Sequence, residues 1–284
     1  MDKEYSDQTW DLVIESKNKF FNLNLKEIWE YKDLVWIFVK RDLISMNKQT
    51  ILGPLWFFLA PLFTVVIYTF VFSEIANIST DGIPGPLFYL AGTTLWNYFQ
   101  SCFIGTSSTF TSNANLFGKV YFPRIVIPLS LIISGLLKFS IQFIMFLGFV
   151  FYYYNQNLIN PNYYIFCLPF LILLMAGIAL GTGLIITSLT TKYRDLTYFI
   201  SFGISLLMYI TPVIYPISTI PNSIRFLVEY NPISPIIETF RFSFTGHGTF
   251  YFFDLLYSFI FMLIILLSGL TLFNKMEKTF MDTV

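Results

Sequence analysis

The sequence predicts an all-α integral membrane protein with six transmembrane helices. Three observations lead to this fold class: the composition, the length of the apolar stretches, and the distribution of Lys and Arg. Of the 284 residues, 55% are hydrophobic and only 12% are charged. A soluble domain has a charged share of about 25%. A water-soluble globule is therefore excluded.

Six stretches are long and apolar enough to cross a bilayer as helices. A spanning helix needs about 20 apolar residues, because lipid offers no hydrogen-bond partners and a helix satisfies its own backbone. The predicted spans are residues 51–72, 87–110, 125–153, 163–189, 196–215 and 251–273. The second span is the most polar, since it contains Asn97 and Gln100.

Basic residues predict the orientation. Residues 1–50 contain eight Lys and Arg residues, which is too many before a cleavable signal peptide. With alternating spans, 14 basic residues fall on the side of this N-terminal region, against Arg225 and Arg241 on the other side and Lys138 within a span. Because retained Lys and Arg mark the cytoplasmic side, both termini are predicted to be cytoplasmic. Residues 1–24 are a cytoplasmic tail, and residues 25–284 form the transmembrane domain.

Two further segments have an amphipathic or broken pattern. Residues 25–43 predict an amphipathic helix lying along the membrane face, with apolar positions at Ile28, Tyr31, Val35, Phe38 and Val39. Residues 216–250 place four prolines among apolar side chains. Short re-entrant helices, which enter the outer leaflet and return, fit this pattern if protein covers them. A proline-rich surface loop is the alternative.

The sequence predicts no catalytic, cofactor-binding or metal-binding residue. It contains no GxxxxGK[ST] motif, and residues 1–50 are too few for an ATPase domain, which needs about 100 residues or more. Ionisable residues within the spans are restricted to Lys138 and Asp254, so an ion-coupled carrier is poorly supported. Cys102 and Cys167 lie in apolar runs and are predicted to be buried free thiols. The balanced charge predicts no nucleic-acid partner.

Residues 112–124, SNANLFGKVYFPR, predict a short capped helix on the cytoplasmic side. This helix either presents Leu116 and Phe117 to a partner or serves as a simple connector. Taken with the missing ATPase motif, the pattern indicates a passive conduit or a subunit that a separate protein powers.

Six motifs in register resemble the permease subunits of ABC-2 type transporters, specifically the exporters of O-antigen, capsule and teichoic acid. The motifs are LVWIFVKRDLISMNKQTILGPLWFFLAPL (34–62), FGKVYFPRIVIPLS (117–130), TKYRDLTYFI (191–200), TPVIYP (211–216), NPISPIIETFR (231–241) and FNKMEKTFMDTV (273–284). The likeness extends over residues 30–284.

The resemblance implies a homodimer in the bacterial cytoplasmic (inner) membrane that works with two separate ABC ATPase subunits. Those subunits would bind ATP and Mg²⁺, and this chain would bind no cofactor. The cargo would be a polysaccharide linked to a polyprenyl diphosphate. The resemblance also implies a gate helix at residues 25–43 and an outer cap at residues 216–250. The implied coupling helix contains Asn113, Leu116, Phe117, Lys119, Phe122 and Pro123.

A glycan needs aromatic rings for its C–H faces and polar groups for its hydroxyls. The predicted substrate path comprises Trp56, Tyr89, Trp96, Asn97, Tyr98, Gln100 and Lys138. The aromatic residues fit an interfacial belt equally. A charge at the depth of Lys138 is costly, so Lys138 faces protein or water, or else snorkels to the membrane surface.

In the outer cap, Arg225, Glu238 and Arg241 are the predicted charged residues. Glu238 and Arg241 are three positions apart, which predicts neighbours on one helical face. Three other functions stay open: export of a small drug or lipid by the same fold, an enzyme acting on polyprenyl-linked sugars, and an ion-coupled flippase.

Overall fold

The computed structural model describes residues 25–47, 53–120, 122–190, 195–248 and 250–280. These residues form helices and connecting segments, with no strand among them. The predicted tail, 1–24, and the first two residues of the first predicted span lie outside the described residues. The α-helices are α1 Leu25–Glu30, α2 Lys32–Asn47, α3 Trp56–Tyr68, α4 Gly85–Ser107, α5 Thr109–Ser112, α6 Ala114–Phe117, α7 Val126–Asn155, α8 Leu168–Thr190, α9 Leu196–Ile210, α10 Asn222–Glu229, α11 Ser234–Thr245 and α12 Phe252–Phe280.

Within the described part of the chain, four helical segments are long and apolar enough to cross a membrane: Trp56–Ile75, Val126–Asn155, Tyr163–Thr190 and Phe252–Met276. At 1.5 Å per residue, about 20 residues match the 30 Å thickness of the hydrocarbon core. These segments coincide with the first, third, fourth and sixth predicted spans. The first consists of α3 and a wider helical turn, Thr69–Ile75, and therefore extends past its predicted end at residue 72.

The other two predicted spans have different forms. The second corresponds to α4, which has 23 residues, most of them buried by the helices around it. The fifth was predicted over 196–215, but α9 has 15 residues and ends at Ile210. The backbone of Thr211 is extended, with φ −98° and ψ 139°, because the proline at position 212 disfavours a helical conformation in the residue before it.

Helix α4 lies at the centre of the bundle, in contact with α3, α7, α8 and α11, while α8 packs along α12. Glycines allow α8 and α12 to approach closely, as small residues do in membrane helix pairs. A Cβ atom added at Gly269 would lie 2.5 Å from the carbonyl oxygen of Gly181. A Cβ atom at Gly181 would lie 2.7 Å from the amide nitrogen of Leu266. The backbones themselves therefore touch at this crossing.

Both cysteines are free thiols. Cys102 is buried on the face of α4 that packs against Gly135 of α7, where a Cβ atom would lie 2.5 Å from the Cys102 sulfur. Cys167 is only partly buried, because it lies in the turn that precedes α8. The prediction of buried thiols is therefore correct for Cys102 and wrong for Cys167.

The segments predicted to be cytoplasmic meet at one end of the bundle, called here the inner end. Buried side chains from α2, the α6 region and the last turns of α8 and α12 form one cluster there, including Phe38, Phe117, Phe122, Leu184 and Phe273. The predicted outer segments lie at the opposite end, where α11 contacts the turn that precedes α8. This arrangement is what alternating passes of the chain require.

The predicted amphipathic helix is present as two helices, α1 and α2, which a turn at Tyr31 separates. Phe38 and Val39 are buried, and α2 packs on α7. Trp29 and Trp36 are exposed on other faces. The segment therefore has two apolar surfaces, one packed on the bundle and one open, where the pattern predicted one.

The outer segment contains a short turn, Ile217–Thr219, followed by α10 and α11. Ten of the twelve residues of α11 are buried, so the surface-loop alternative is wrong for this helix. The loop before α8 donates hydrogen bonds to the carbonyl groups at the end of α11. The backbone amide of Asn160 donates to the oxygen of Thr245 and that of Asn162 to the oxygen of Ser243, each over 3.0 Å. By contrast, Val228 is the one buried residue of α10.

Candidate functional site

The aromatic residues of α4 that were predicted to line a path are packed inside the chain. Tyr89, Trp96 and Tyr98 are 0 to 3% exposed, because α4 lies at the centre of the bundle. The hydroxyl group of Tyr89 lies 3.2 Å from that of Ser73. In this conformation none of the three rings is open to a cargo, and their role in transport stays a prediction.

A hydrogen bond between two side-chain amides joins α4 and α7. The side chain of Asn97 donates to Oε1 of Gln142 over 3.3 Å, and both side chains are partly buried. Gln100 is also half-buried. Sequence reasoning missed Gln142, although its position four residues after Lys138 on one helix places both on the same face. Trp56, at the start of α3, is the one predicted path aromatic that is exposed.

Lys138 forms an ion pair with Asp42 of α2, with 3.6 Å between the lysine Nζ and the carboxylate Oδ2. The two side chains are 18% and 26% exposed, so each charge is partly removed from solvent. The pair joins the predicted gate helix to α7. Sequence reasoning did not identify Asp42, because its partner lies in a different predicted element far along the chain.

Loss of the Lys138–Asp42 pair is expected to lower the free energy of unfolding by about 1 kcal/mol, the upper range for partly exposed ion pairs. Lys138→Met and Asp42→Asn should have similar effects, and the double variant should lose no more than either single one, since both remove the same contact. Titration with SDS in mixed micelles measures this energy. Lys40→Met, at an exposed lysine of α2, is the control and should change nothing.

Additive losses in the double variant would contradict the pairing. The same variants test the predicted role of Lys138 in transport, because Lys138→Arg keeps the charge and Lys138→Met removes it. Transport at the wild-type rate in both variants, at equal protein levels, would remove Lys138 from the substrate path.

At the inner end, two of the predicted coupling residues are buried. The rings of Phe117 and Phe122 lie 5.7 Å apart, and the guanidinium of Arg124 lies over the ring of Phe117 at 5.3 Å. These rings therefore hold the segment to the bundle and are not presented to a partner in this structure. The half-buried coupling residues are Asn113, Leu116 and Pro123.

The surface that remains open at this segment is small and mixed in polarity. Lys119 and Val120 are exposed, and Val120 is 55% exposed despite its apolar side chain. Sequence reasoning did not single out Val120. An exposed apolar side chain beside a lysine, held on a rigid aromatic base, is a suitable contact for another protein.

In the outer cap, the predicted neighbours Glu238 and Arg241 are confirmed as an ion pair, with Arg241 Nη1 donating to Glu238 Oε1 over 3.1 Å. Arg241 is 1% exposed, and its Nη2 also donates to the carbonyl oxygen of Val213 over 2.6 Å. Its guanidinium stacks on the ring of Phe88 at 3.7 Å. Burial raises the pKa of the Glu238 carboxyl group, and the Arg241 charge opposes that shift.

The same region joins two of the sequence motifs. Asn231 donates from its side-chain amide to the hydroxyl oxygen of Thr211 over 2.8 Å and accepts from the backbone amide of Ile233 over 3.0 Å. The motifs TPVIYP and NPISPIIETFR therefore form one buried polar junction. Arg225 is not part of it, because it pairs with Glu229 on α10, with 2.7 Å between the charged groups, on a solvent-accessible surface.

Comparison with known proteins adds a family and three relatives. A family model described as "ABC-2 type transporter" matches residues 33–245. Two proteins of Klebsiella pneumoniae named "O-antigen export system permease protein RfbA" are 30% and 29% identical over 251 residues, each comparison covering 88% of this chain and 94% of the relative. A protein of the same name from Myxococcus xanthus is 28% identical over 228 residues, covering 78% of this chain and 84% of the relative.

Proposed function

The chain belongs to the ABC-2 type transporter family, and we infer that it is the permease subunit of a polysaccharide exporter. The observation that carries this function is the similarity to the three O-antigen export permeases, which extends over most of each relative. The family match, over residues 33–245, includes the gate-helix segment from Asp33 onward, the inner-end segment and the outer cap as far as Thr245. The function therefore rests on the whole fold and not on a single motif.

The proposal extends to the partners and the cargo. A separate pair of ABC ATPase subunits would bind ATP and Mg²⁺ and power transport, and the cargo would be a lipid-linked polysaccharide. Two copies of this chain would form the conduit. The exposed apolar residues of α3, of the helical turn after it and of α9 support a second copy or lipid as the cover, since so large an apolar surface is unfavourable in water. They are Phe63, Val66, Ile67, Phe70, Phe199, Phe202 and Leu206.

We propose six crossings of the cytoplasmic membrane, with α4 and α9 as the second and fifth and with both termini in the cytoplasm. Helix α4 has 23 residues, which is sufficient to span, and burial explains how its polar residues are tolerated. Helix α9 would complete its crossing with the extended segment after Ile210. The buried helix α11 and the exposed helix α10 fit re-entrant helices.

Transport would be driven by a mechanical movement of the ATPase subunits. Closure of the ATPase subunits on ATP would press on the inner end, where the α6 region, α2 and α12 share one packed cluster. A packed cluster moves as a unit, so the displacement would reach the interface between the two copies as a rigid-body change. ATP binding shifts this equilibrium only by its difference in affinity for the two states.

The decisive experiment compares cells with and without the gene for this chain. We expect loss of surface polysaccharide and accumulation of the lipid-linked glycan at the cytoplasmic face of the membrane. A strain with an inactive partner ATPase should show an equal loss. Transport that instead follows the proton or sodium gradient would support a flippase. Turnover of lipid-linked sugar by the purified chain would support an enzyme. Normal surface polysaccharide in cells without the gene would favour export of a drug or lipid.

Val120→Glu is expected to weaken association with the partner ATPase about tenfold, because it places a charge at an exposed apolar contact. Co-purification of the ATPase from membranes measures the effect. The matched control is Leu158→Glu, at an apolar residue that is 48% exposed in the loop after α7, at the opposite end of the bundle. An equal loss of ATPase co-purification in both variants, or no loss in either variant, would contradict a contact at Val120.

A further inference from the structure

The outer end of the chain contains a cavity of about 380 Å³ between α10, α11 and the start of α12. This volume is within the range of small-molecule sites, about 300 to 1,000 Å³. Its walls combine three tyrosines, Tyr230, Tyr251 and Tyr257, with hydroxyl and carboxylate groups. The rigid rings and the polar groups thus face the same space.

One wall residue indicates that the cavity can bind a polar group. Ser234, the first residue of α11, is 1% exposed and lines the cavity. Its hydroxyl oxygen has no hydrogen-bond partner among the described residues. Buried hydroxyl groups are almost always hydrogen-bonded, since the unpaired state is unfavourable. A hydroxyl group of a molecule in the cavity would complete this site.

Two carboxylates provide further acceptors. Glu238 is almost buried and uses Oε1 to accept from Arg241, while Oε2 accepts no hydrogen bond from the described residues. Asp254 of α12 lines the same cavity and has no hydrogen bond or ion pair from its side chain within the described part of the chain. Each free carboxylate oxygen accepts hydrogen bonds from hydroxyl or ammonium groups.

The charges of the cavity favour some sugars over others. Glu229 is paired with Arg225 and Glu238 with Arg241, whereas Asp254 has no cationic partner among the described residues. The cavity therefore has an excess of one negative charge. An anionic ligand would be repelled, and an ammonium group would be attracted.

We propose that this cavity binds an uncharged or amino-substituted pyranose unit of a polysaccharide at the outer end of the permease. The tyrosine rings contact the apolar C–H face of the sugar. The Ser234 hydroxyl donates or accepts a hydrogen bond at a sugar hydroxyl group, and the Glu238 and Asp254 carboxylates accept hydrogen bonds from such groups. This assignment rests on the proposed function, because export of a polysaccharide brings such units to the outer end. It also makes the cavity selective against uronic acids.

Saturation-transfer NMR on the full-length chain in lipid nanodiscs tests the proposal. The probes are the methyl glycosides of glucose, galactose and mannose, together with glucosamine and glucuronic acid. At least one neutral glycoside should bind, and glucuronic acid should bind about tenfold more weakly because of the unpaired carboxylate. Failure of all the neutral glycosides and of glucosamine to bind, or equal binding of glucuronic acid, would overturn the assignment.

Tyr251→Ala should weaken binding about tenfold through loss of ring contact. Tyr251 is 62% exposed, so the variant should fold. Tyr163→Ala is the matched control, because Tyr163 is 73% exposed and lies outside the cavity lining. Asp254→Asn should abolish any preference for glucosamine over the methyl glycosides. Equal weakening by both tyrosine variants would place binding elsewhere.

Surface polysaccharide in cells with and without the gene separates the two claims. Cells that need this chain for surface polysaccharide while the purified chain binds no sugar would refute the cavity and leave the exporter function. Sugar binding in the cavity with surface polysaccharide independent of the gene would refute the exporter function.

Discussion

Arg241→Met is expected to lower the free energy of unfolding by about 3 to 5 kcal/mol, the usual cost of breaking a buried ion pair from one side. The substitution leaves the Glu238 carboxylate buried without its cation and the carbonyl oxygen of Val213 without its donor. It also removes the guanidinium from the ring of Phe88. Titration of the purified protein with SDS in mixed micelles measures the loss.

The exposed pair of α10 is the matched control. Arg225→Met breaks an ion pair of the same residue types, but its side chains are 44% and 50% exposed, so the expected loss is at most about 1 kcal/mol. Arg241→Met combined with Glu238→Gln should recover part of the loss, since no buried charge then lacks a partner. Equal losses at the buried and exposed arginines would contradict the role of burial.

Exchange of the two charges is not expected to restore stability. A carboxylate at position 241 would face the carbonyl oxygen of Val213 and the negative face of the Phe88 ring, both of which repel it. The environment of the pair is asymmetric, so restoration by the exchanged pair would show that these two contacts contribute little.

Gly269→Val is expected to lower the free energy of unfolding by about 3 kcal/mol, the upper range for overpacking in a core. The first added carbon would lie 2.5 Å from the backbone oxygen of Gly181, and a backbone atom cannot rotate away as a side chain can. Helices α8 and α12 would have to separate along their crossing. Unfolding by SDS and the yield of monodisperse protein both measure the effect.

Gly148→Val supplies the matched control, because a Cβ atom at Gly148 of α7 meets nothing within 4 Å. Its expected effect is within about 0.5 kcal/mol, as for other unconstrained sites. A loss at Gly148 as large as that at Gly269 would show that valine in these helices, and not the crossing, is responsible.

Local and global features differed in how far the sequence predicted them. The long apolar spans could be predicted because, in lipid, each crossing must form its own backbone hydrogen bonds. The Glu238–Arg241 pair could be predicted because a helix brings residues three positions apart together. The end of α9 was also encoded, in the proline that follows Thr211, but the apolar run beyond it obscured that signal.

Contacts between segments that are distant in the chain could not be predicted from the sequence. The carbonyl group that Arg241 binds lies 28 positions away, and nothing in the pattern around Asp42 indicates Lys138 as its partner. The aromatic residues of α4 show the same limit. Tyrosine and tryptophan suit a path, an interface or a core equally, and only the central position of α4 decides that Tyr89 and Trp96 are buried in this conformation.

The bonds that hold the end of α11 have a mechanical consequence for the outer end. The loop amides of Asn160 and Asn162 fix the last carbonyl groups of α11, and Asn231 fixes the segment before it to Thr211. Helix α10 lies in the chain between Thr211 and Asn231, and Val228 is its one buried residue. The outer end therefore combines a firmly held helix, α11, with a helix, α10, whose few buried contacts make it the less stable of the two.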